Sequence, residues 1–239
     1  TWSRMSEAGA PNAHSGFSTM IWTGTEAIIW VGYNTGGRYD PVTDTWRPVS
    51  SVNAPMHLGT HSAVWTGTSM LVWGAGWVPN LNLFDWVRGG GRYDPATDTW
   101  APITLTGAPE TSDGHTAVWM SPYMVVWGGV EVTSGHTFAT GGRYNPATDT
   151  WLPTSTSGAP VGRWNHTAHS IGEEMLVWGG EPLTATGGLL RFLDIAVGPG
   201  SLAAGVVSPR GKRRARTPGS PWPGGRGRRS PARAPPGPR

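Results

Sequence analysis

The chain of 239 residues contains no cysteine. That excludes disulfide frameworks, Cys-ligated zinc, iron–sulfur clusters and thiol catalysis, and it leaves the redox compartment open. Long apolar runs are also missing. The best one, residues 195–207, is interrupted by Gly198, Pro199 and Gly200, whereas a membrane helix needs about 20 consecutive residues. Charged residues are scarce, 14% against roughly 25% in ordinary domains. One sign of charge disappears from the last forty positions: residues 200–239 hold nine Arg, one Lys and no acid, while residues 1–199 hold eight Arg and all fifteen acids. The net charge of +3 therefore joins an acidic body to a basic end, an asymmetry no single balanced domain shows. HExxH, GxSxG, P-loop and strand-following GxGxxG motifs are absent.

What is present is repetition. GGRYDPVTDTW stands at residues 36–46, GGRYDPATDTW at 90–100 and GGRYNPATDTW at 141–151. A second element reads HSAVWTGTSMLVWG at 61–74, HTAVWMSPYMVVWG at 115–128 and HTAHSIGEEMLVWG at 166–179, with a divergent copy at 18–32. The interval from the Arg of the first element to the next WG is invariant: Arg38 to Trp73, Arg92 to Trp127 and Arg143 to Trp178 each span 35 positions. The interval from WG to the next GGR changes from 8 to 19 to 16. A scaffold of constant length thus carries one variable loop.

Each repeat reads as four short strands rich in β-branched and aromatic residues. In the second repeat they fall at 62–65, 70–73, 91–94 and 99–103. Thr-Gly-Thr supplies a hairpin glycine, and Asp94-Pro95 presets a type I turn. No helical period competes. A lone four-stranded sheet leaves both faces wet, so the sheets must stack, and radial stacking gives a propeller.

The GG doublet, with Tyr and Trp seven positions apart at Tyr39/Trp46, Tyr93/Trp100 and Tyr144/Trp151, resembles the kelch repeat over residues 1–188. The resemblance implies an all-β, kelch-type propeller of four-stranded antiparallel blades in a ring of six or seven. This chain supplies full blades at 17–50, 61–104 and 115–154, a partial blade at 166–188, and at 1–16 the end of a preceding blade and a linker. Thr1-Trp2 matches the Thr-Trp that opens the fourth strand of every repeat. The ring is expected to be incomplete and its open edges to promote self-association. Galactose oxidase has a propeller of this type, and its copper-radical site requires a cysteine, so that chemistry is excluded here. No cofactor and no metal are expected.

Residues 189–239 read as a disordered Gly/Pro/Arg-rich tail. A change of reading frame near Gly188 accounts at once for the end of the repeat and of the acids. An inert tail and a basic arm that contacts phosphates are the alternatives. Only Trp222 is available there for base stacking, so nucleic acid is not the expected partner, and neither is a membrane. The compartment is open; export is the expectation if a longer form carries a signal peptide.

In an antiparallel meander the second-to-third-strand loops and the linkers between blades share one face. Function tends to sit on such loops. The candidate ligand-binding residues are Trp77, Asp85, Trp86 and Arg88 in the second repeat, Glu131 and His136 in the third, and Arg163 and Trp164 in the last linker. Aromatic plates beside charged groups suit a sugar or a peptide. The expected function is a non-catalytic module that binds a protein or carbohydrate ligand. The alternative is a carbohydrate-active enzyme (epimerase, hydrolase or lyase) using Asp85, Arg88, Glu131 and His136. The repeated His61, His115 and His166 are expected to stitch blade to blade, and each repeated Arg and the Asp six places on to form a salt bridge or a turn clamp within the blade.

Overall fold

A computed structural model of the chain describes residues 1–12, 18–32, 34–55, 58–77, 86–110, 113–183 and 185–191, and only the backbone of Trp77, Trp86 and Val87. Contacts divide the chain into Thr1–Val197 and Gly198–Arg239. The second unit, with its two Arg clusters, lies outside the described residues.

The described part is all-β and is built as four antiparallel sheets. The first contains β1 (Thr19–Trp22), β2 (Ala27–Gly32), β3 (Thr35–Asp40) and β4 (Thr45–Pro48). The second contains β5 (Thr60–Trp65), β6 (Met70–Trp77), β7 (Trp86–Asp94) and β8 (Thr99–Pro102). The third contains β9 (Thr116–Met120), β10 (Tyr123–Trp127), β11 (Gly141–Asn145) and β12 (Thr150–Pro153), and the fourth β13 (Thr167–Ile171), β14 (Glu174–Trp178) and β15 (Gly187–Arg191). Every sheet is a meander in chain order, four strands in the first three and three in the last. The first strands lie side by side, β1 against β5, β5 against β9 and β9 against β13. The sheets are thus propeller blades stacked in sequence.

Alternation along the strands sends one face of each sheet to the preceding blade and the other to the following one. The core is therefore three interfaces. Ile21, Ile28 and Trp30 of the first blade meet Met70, Val72, Tyr93 and Trp100 of the second. Leu71 and Trp73 meet Met124, Val126, Tyr144 and Trp151. Val125 and Trp127 meet Met175 and Val177. Trp100 lies 4.6 Å, centroid to centroid, from Trp30, and Trp151 lies 4.7 Å from Trp73.

These ring pairs explain the glycine doublet. A Cβ on Gly90 would stand 2.6 Å from the Trp73 ring, and one on Gly91 2.8 Å from both the Trp100 ring and Pro55. The strand must be bare because an indole lies on each of its faces.

The following linker is clamped by the next blade. Trp100 Nε1 donates to the Ser50 carbonyl at 2.8 Å, and the Ser50 amide donates to Asp98 Oδ1 at 3.0 Å. Thr104 is held in the same way by Trp151 and Asp149, and Ser6 by Trp46 and Asp44. Ser6 lies four positions after Trp2, as Ser50 lies four after Trp46. Trp2 itself is fully exposed, and residues 1–12 contain no strand.

Of the two expected arrangements, the Arg–Asp salt bridge does not form. Arg38 pairs instead with Glu26 at 2.6 Å and donates across the interface to the Pro95 carbonyl. Arg92 donates to the Pro146 carbonyl of the next blade. The aspartates accept from tyrosine within their own repeat, Tyr93 Oη to Asp98 at 2.6 Å. The cause is the strand period of two: Arg and Tyr are neighbours in sequence and face opposite blades. The last blade also runs past the boundary read at Gly188, since β15 ends at Arg191.

Candidate functional site

The second-to-third-strand loops and the inter-blade linkers do meet on one face. Asp113, in the linker before β9, exchanges backbone hydrogen bonds with Val130 at 3.1 and 2.9 Å. Trp164, in the linker before β13, does the same with Glu181 at 3.1 and 2.9 Å. Asn165 then donates its amide to the Gly114 carbonyl at 2.8 Å, and Gly129 donates to the Arg163 carbonyl at 2.8 Å. Each linker is thereby sewn to its own loop, and the one before β13 also to the preceding blade.

The sequence candidates fall into two groups. In the second blade, β6 and β7 run beyond the expected strands into an arm whose end pairs Trp77 with Trp86. The side chains of Trp77 and Trp86, and the whole of Asp85, lie outside the described residues. Arg88 on this arm donates to the Pro109 carbonyl at 3.4 Å.

In the third blade, Glu131 and His136 share one turn, closed by Glu131 N–H to the His136 carbonyl at 2.8 Å. Thr133 and Ser134 donate to the Glu131 carboxylate. Those bonds, Ser134 first, hold its carboxyl below the usual range. His136 is exposed and stands edge-on to Phe138 at 5.0 Å. Trp164 is half-buried.

Arg163 is not available to a ligand. It is fully buried, and its guanidinium donates to the carbonyls of Val161, Gly179 and Thr186 and to the Thr186 hydroxyl. Its donors are thus taken up by the linker and by the loop that follows β14, and a buried guanidinium needs such partners.

On the same face lies a cavity of about 200 Å³ lined by Ser18, Thr60, His61, Asp113, Gly114, His115 and Asn165. Hydroxyl, imidazole, carboxylate and amide groups converge there from the starts of β5 and β9 and from three linkers. Gly114 has a φ of +67°, and a Cβ on it would stand 2.8 Å from Asn165 Oδ1. His61 Nε2 donates to the Trp30 carbonyl at 3.1 Å, and His115 Nε2 to the Trp73 carbonyl at 3.3 Å. These are the expected blade-to-blade stitches. His166 makes the blade-to-blade stitch to a side chain instead: its Nε2 bonds the Thr116 hydroxyl of the third blade at 2.7 Å and its ring meets Trp127 edge-on. Burial, then Arg163 and His115, push its imidazole down to about 4. Burial also lowers His61, against the bond to Trp30.

A more open groove of about 530 Å³ lies at the opposite end, between the hairpins at Thr23–Thr25 and Thr66–Ser69. Glu26 there accepts from both Arg38 and Arg47, and Asp94 accepts from the Ala96 amide. The loop-face cavity offers polar groups drawn from several linkers, and it is the candidate site. Among the described residues no group of three His, Asp or Glu has a metal-binding arrangement.

The sequence reading missed Ser18, Thr60 and Asn165, and left His61 and His115 to the scaffold alone. The one available signal was the repeated His at the start of each first strand, which marks the ring of positions nearest the cavity.

No family model matches the chain, and no curated protein matches it in sequence. Among solved structures it is similar to YjhT, a kelch-type propeller, with a TM-score of 0.55 and 14% identity over 72% of this chain. The chain spans 64% of that structure's length. At this identity the likeness is one of fold, and the chain has the propeller-like, all-β fold of stacked four-stranded blades.

Proposed function

We propose that the chain is a kelch-repeat propeller segment acting as a non-catalytic binding module, with a carbohydrate as ligand on the loop face. The repeat assignment is supported by the GG–Tyr–Trp register together with the likeness to YjhT. The binding assignment is carried by the polar cavity of Thr60, His61, Asp113, His115 and Asn165. Its mixture of donors and acceptors matches the paired donor and acceptor character of sugar hydroxyls. Glu131 and His136 lie on the adjacent loop as second-rank contacts. The enzymatic alternative has less support. A general base works best near the operating pH, and Glu131 is held as a weaker base than an ordinary carboxylate.

Calorimetric titration with galactose, glucuronic acid and N-acetylneuraminic acid tests this reading. Binding of at least one sugar, weakened about tenfold or more in Asp113→Asn by loss of a charge-assisted hydrogen bond, is expected. No binding of any of the three, or binding indifferent to Asp113→Asn, overturns the carbohydrate assignment. Turnover of a bound sugar that disappears in Glu131→Gln would favour the enzyme.

A further inference from the structure

The fixed charge at the wall of the loop-face cavity is negative. Asp113 is half-buried there, and no ion pair among the described residues includes it. Ser18, Thr60 and Asn165 beside it carry no charge. Burial lowers the His61 imidazole and so favours its neutral form.

The full cations of the propeller unit all lie elsewhere. Residues 1–197 contain no Lys and eight Arg, and every one of the eight is among the described residues. Arg38 and Arg47 pair with Glu26, and Arg191 pairs with Glu174. Arg88, Arg92, Arg143 and Arg163 donate to backbone carbonyls. Arg4 is exposed ahead of β1. None of them lines the cavity. An anionic ligand would meet a like charge there and no guanidinium to offset it.

The donors of the lining are also committed. His61 Nε2 gives its proton to the Trp30 carbonyl, and His115 Nε2 gives its own to the Trp73 carbonyl. The Thr60 hydroxyl donates to the Ala75 carbonyl at 3.5 Å. What remains is weighted towards acceptors: two carboxylate oxygens on Asp113, the lone pairs of Thr60 and the amide oxygen of Asn165. An ammonium group is the complement of such a wall, with three donors, no acceptor and a positive charge. The wider field has the same sign, since residues 1–199 hold fifteen acids against eight Arg, and a net negative surface draws cations.

We propose that the cavity selects an amine-bearing sugar, a hexosamine in its ammonium form, with the ammonium on the Asp113 carboxylate and ring hydroxyls on Thr60 and Asn165. The inference rests on the carbohydrate reading of this site and adds to it the charge of the ligand: cationic before neutral, and neutral before acidic.

Calorimetric titration of the full chain with four matched sugars tests it, near neutral pH and in low salt. Galactosamine, galactose and N-acetylgalactosamine differ only at the second carbon, and galacturonic acid carries its carboxylate at the sixth. Galactosamine is expected to bind about tenfold more tightly than galactose, the gain of a charge-assisted over a neutral hydrogen bond. N-acetylation, which removes the charge and keeps the nitrogen, should abolish that gain. Galacturonic acid should bind more weakly than galactose. Asp113→Asn should bring galactosamine and galactose to within about twofold of each other, with an unchanged circular dichroism spectrum. Asp94→Asn removes one carboxylate at the opposite end, where Asn145 shows that the turn accepts Asn, and should leave the preference intact. Galactose, N-acetylgalactosamine or galacturonic acid binding as tightly as galactosamine overturns the charge assignment and leaves the carbohydrate reading standing. A preference that survives Asp113→Asn, or that Asp94→Asn removes equally, belongs to the field of the whole body and also overturns it. Binding of none of the four overturns both.

Discussion

Trp100 donates its indole N–H to the carbonyl of Ser50 at 2.8 Å, fifty residues back in the chain. The bond joins the outer strand of one blade to the linker leaving the blade before it, while the ring itself lies against Trp30. A single side chain thus sets both the spacing of two blades and the path of the chain between them. A buried indole removes on the order of 200 Å² from water. At about 25 cal/mol per Å² that is roughly 5 kcal/mol of gross transfer before ordering entropy is subtracted.

Trp100→Ala is accordingly expected to destabilise the chain by about 3–5 kcal/mol, read as the shift of a urea denaturation midpoint. Trp100→Phe keeps most of the ring and loses the N–H, and about 1 kcal/mol of stability with it. Trp46, the same residue in the first blade, is less buried. Trp46→Ala should cost clearly less than Trp100→Ala or Trp151→Ala. Equal losses at all three positions would mean that contact across the blade interface is not what these rings supply.

His166 gives the fold a pH dependence. Its folded imidazole titrates near 4, and the unfolded one near 6.5. Between those values the unfolded chain binds a proton that the folded chain does not, so stability rises with pH through this window. The contribution is complete above about 6.5 and is lost as the pH falls towards 4, on the order of 3 kcal/mol in all. Melting temperatures from pH 7 to pH 4 should show the fall, and His166→Gln should flatten that part of the curve. A variant with the same slope as the unaltered chain assigns the dependence elsewhere.

Gly114 holds the linker that borders the cavity. Its positive φ and the 2.8 Å approach to Asn165 Oδ1 make Gly114→Ala costly by about 1–3 kcal/mol. Gly67→Ala, at a φ of +102° but with open space around the Cβ, carries the conformational cost alone. Gly114→Ala should therefore be the more destabilised of the two in urea, and it alone should weaken sugar binding. Equal effects on binding would remove this linker from the site.

The repeats made the blades legible. β8 is Thr99–Pro102 where the Thr-Trp element stands, and the Asp-Pro turn survives its replacement at Asn145 because Asn145 Oδ1 accepts from Ala147 N–H as Asp94 Oδ1 does from Ala96. What failed were contacts that cross between blades. Arg38 and Asp44 are close in sequence and suggested a pair, yet Arg38 serves Pro95 of the next blade. Local spacing does not report which face of a strand meets which neighbour. Arg163 looked like a loop cation open to ligands, and three loop carbonyls had already claimed it. The cavity was illegible for a related reason: Thr60, Gly114 and Asn165 hold the same position, just before the repeated His, but differ in residue type, so the repeat marks the place and not the chemistry that converges there.

The most direct test of the loop-face assignment is an amide ¹H–¹⁵N spectrum of the chain titrated with galactose, glucuronic acid and N-acetylneuraminic acid in turn. Thr60, His61, Asp113, Gly114 and Asn165 should shift together and saturate with one of them. Shifts confined to Thr23, Thr25, Thr68 and Ala96, which border the groove at the opposite end, would contradict the assignment, as would a spectrum that none of the three sugars changes.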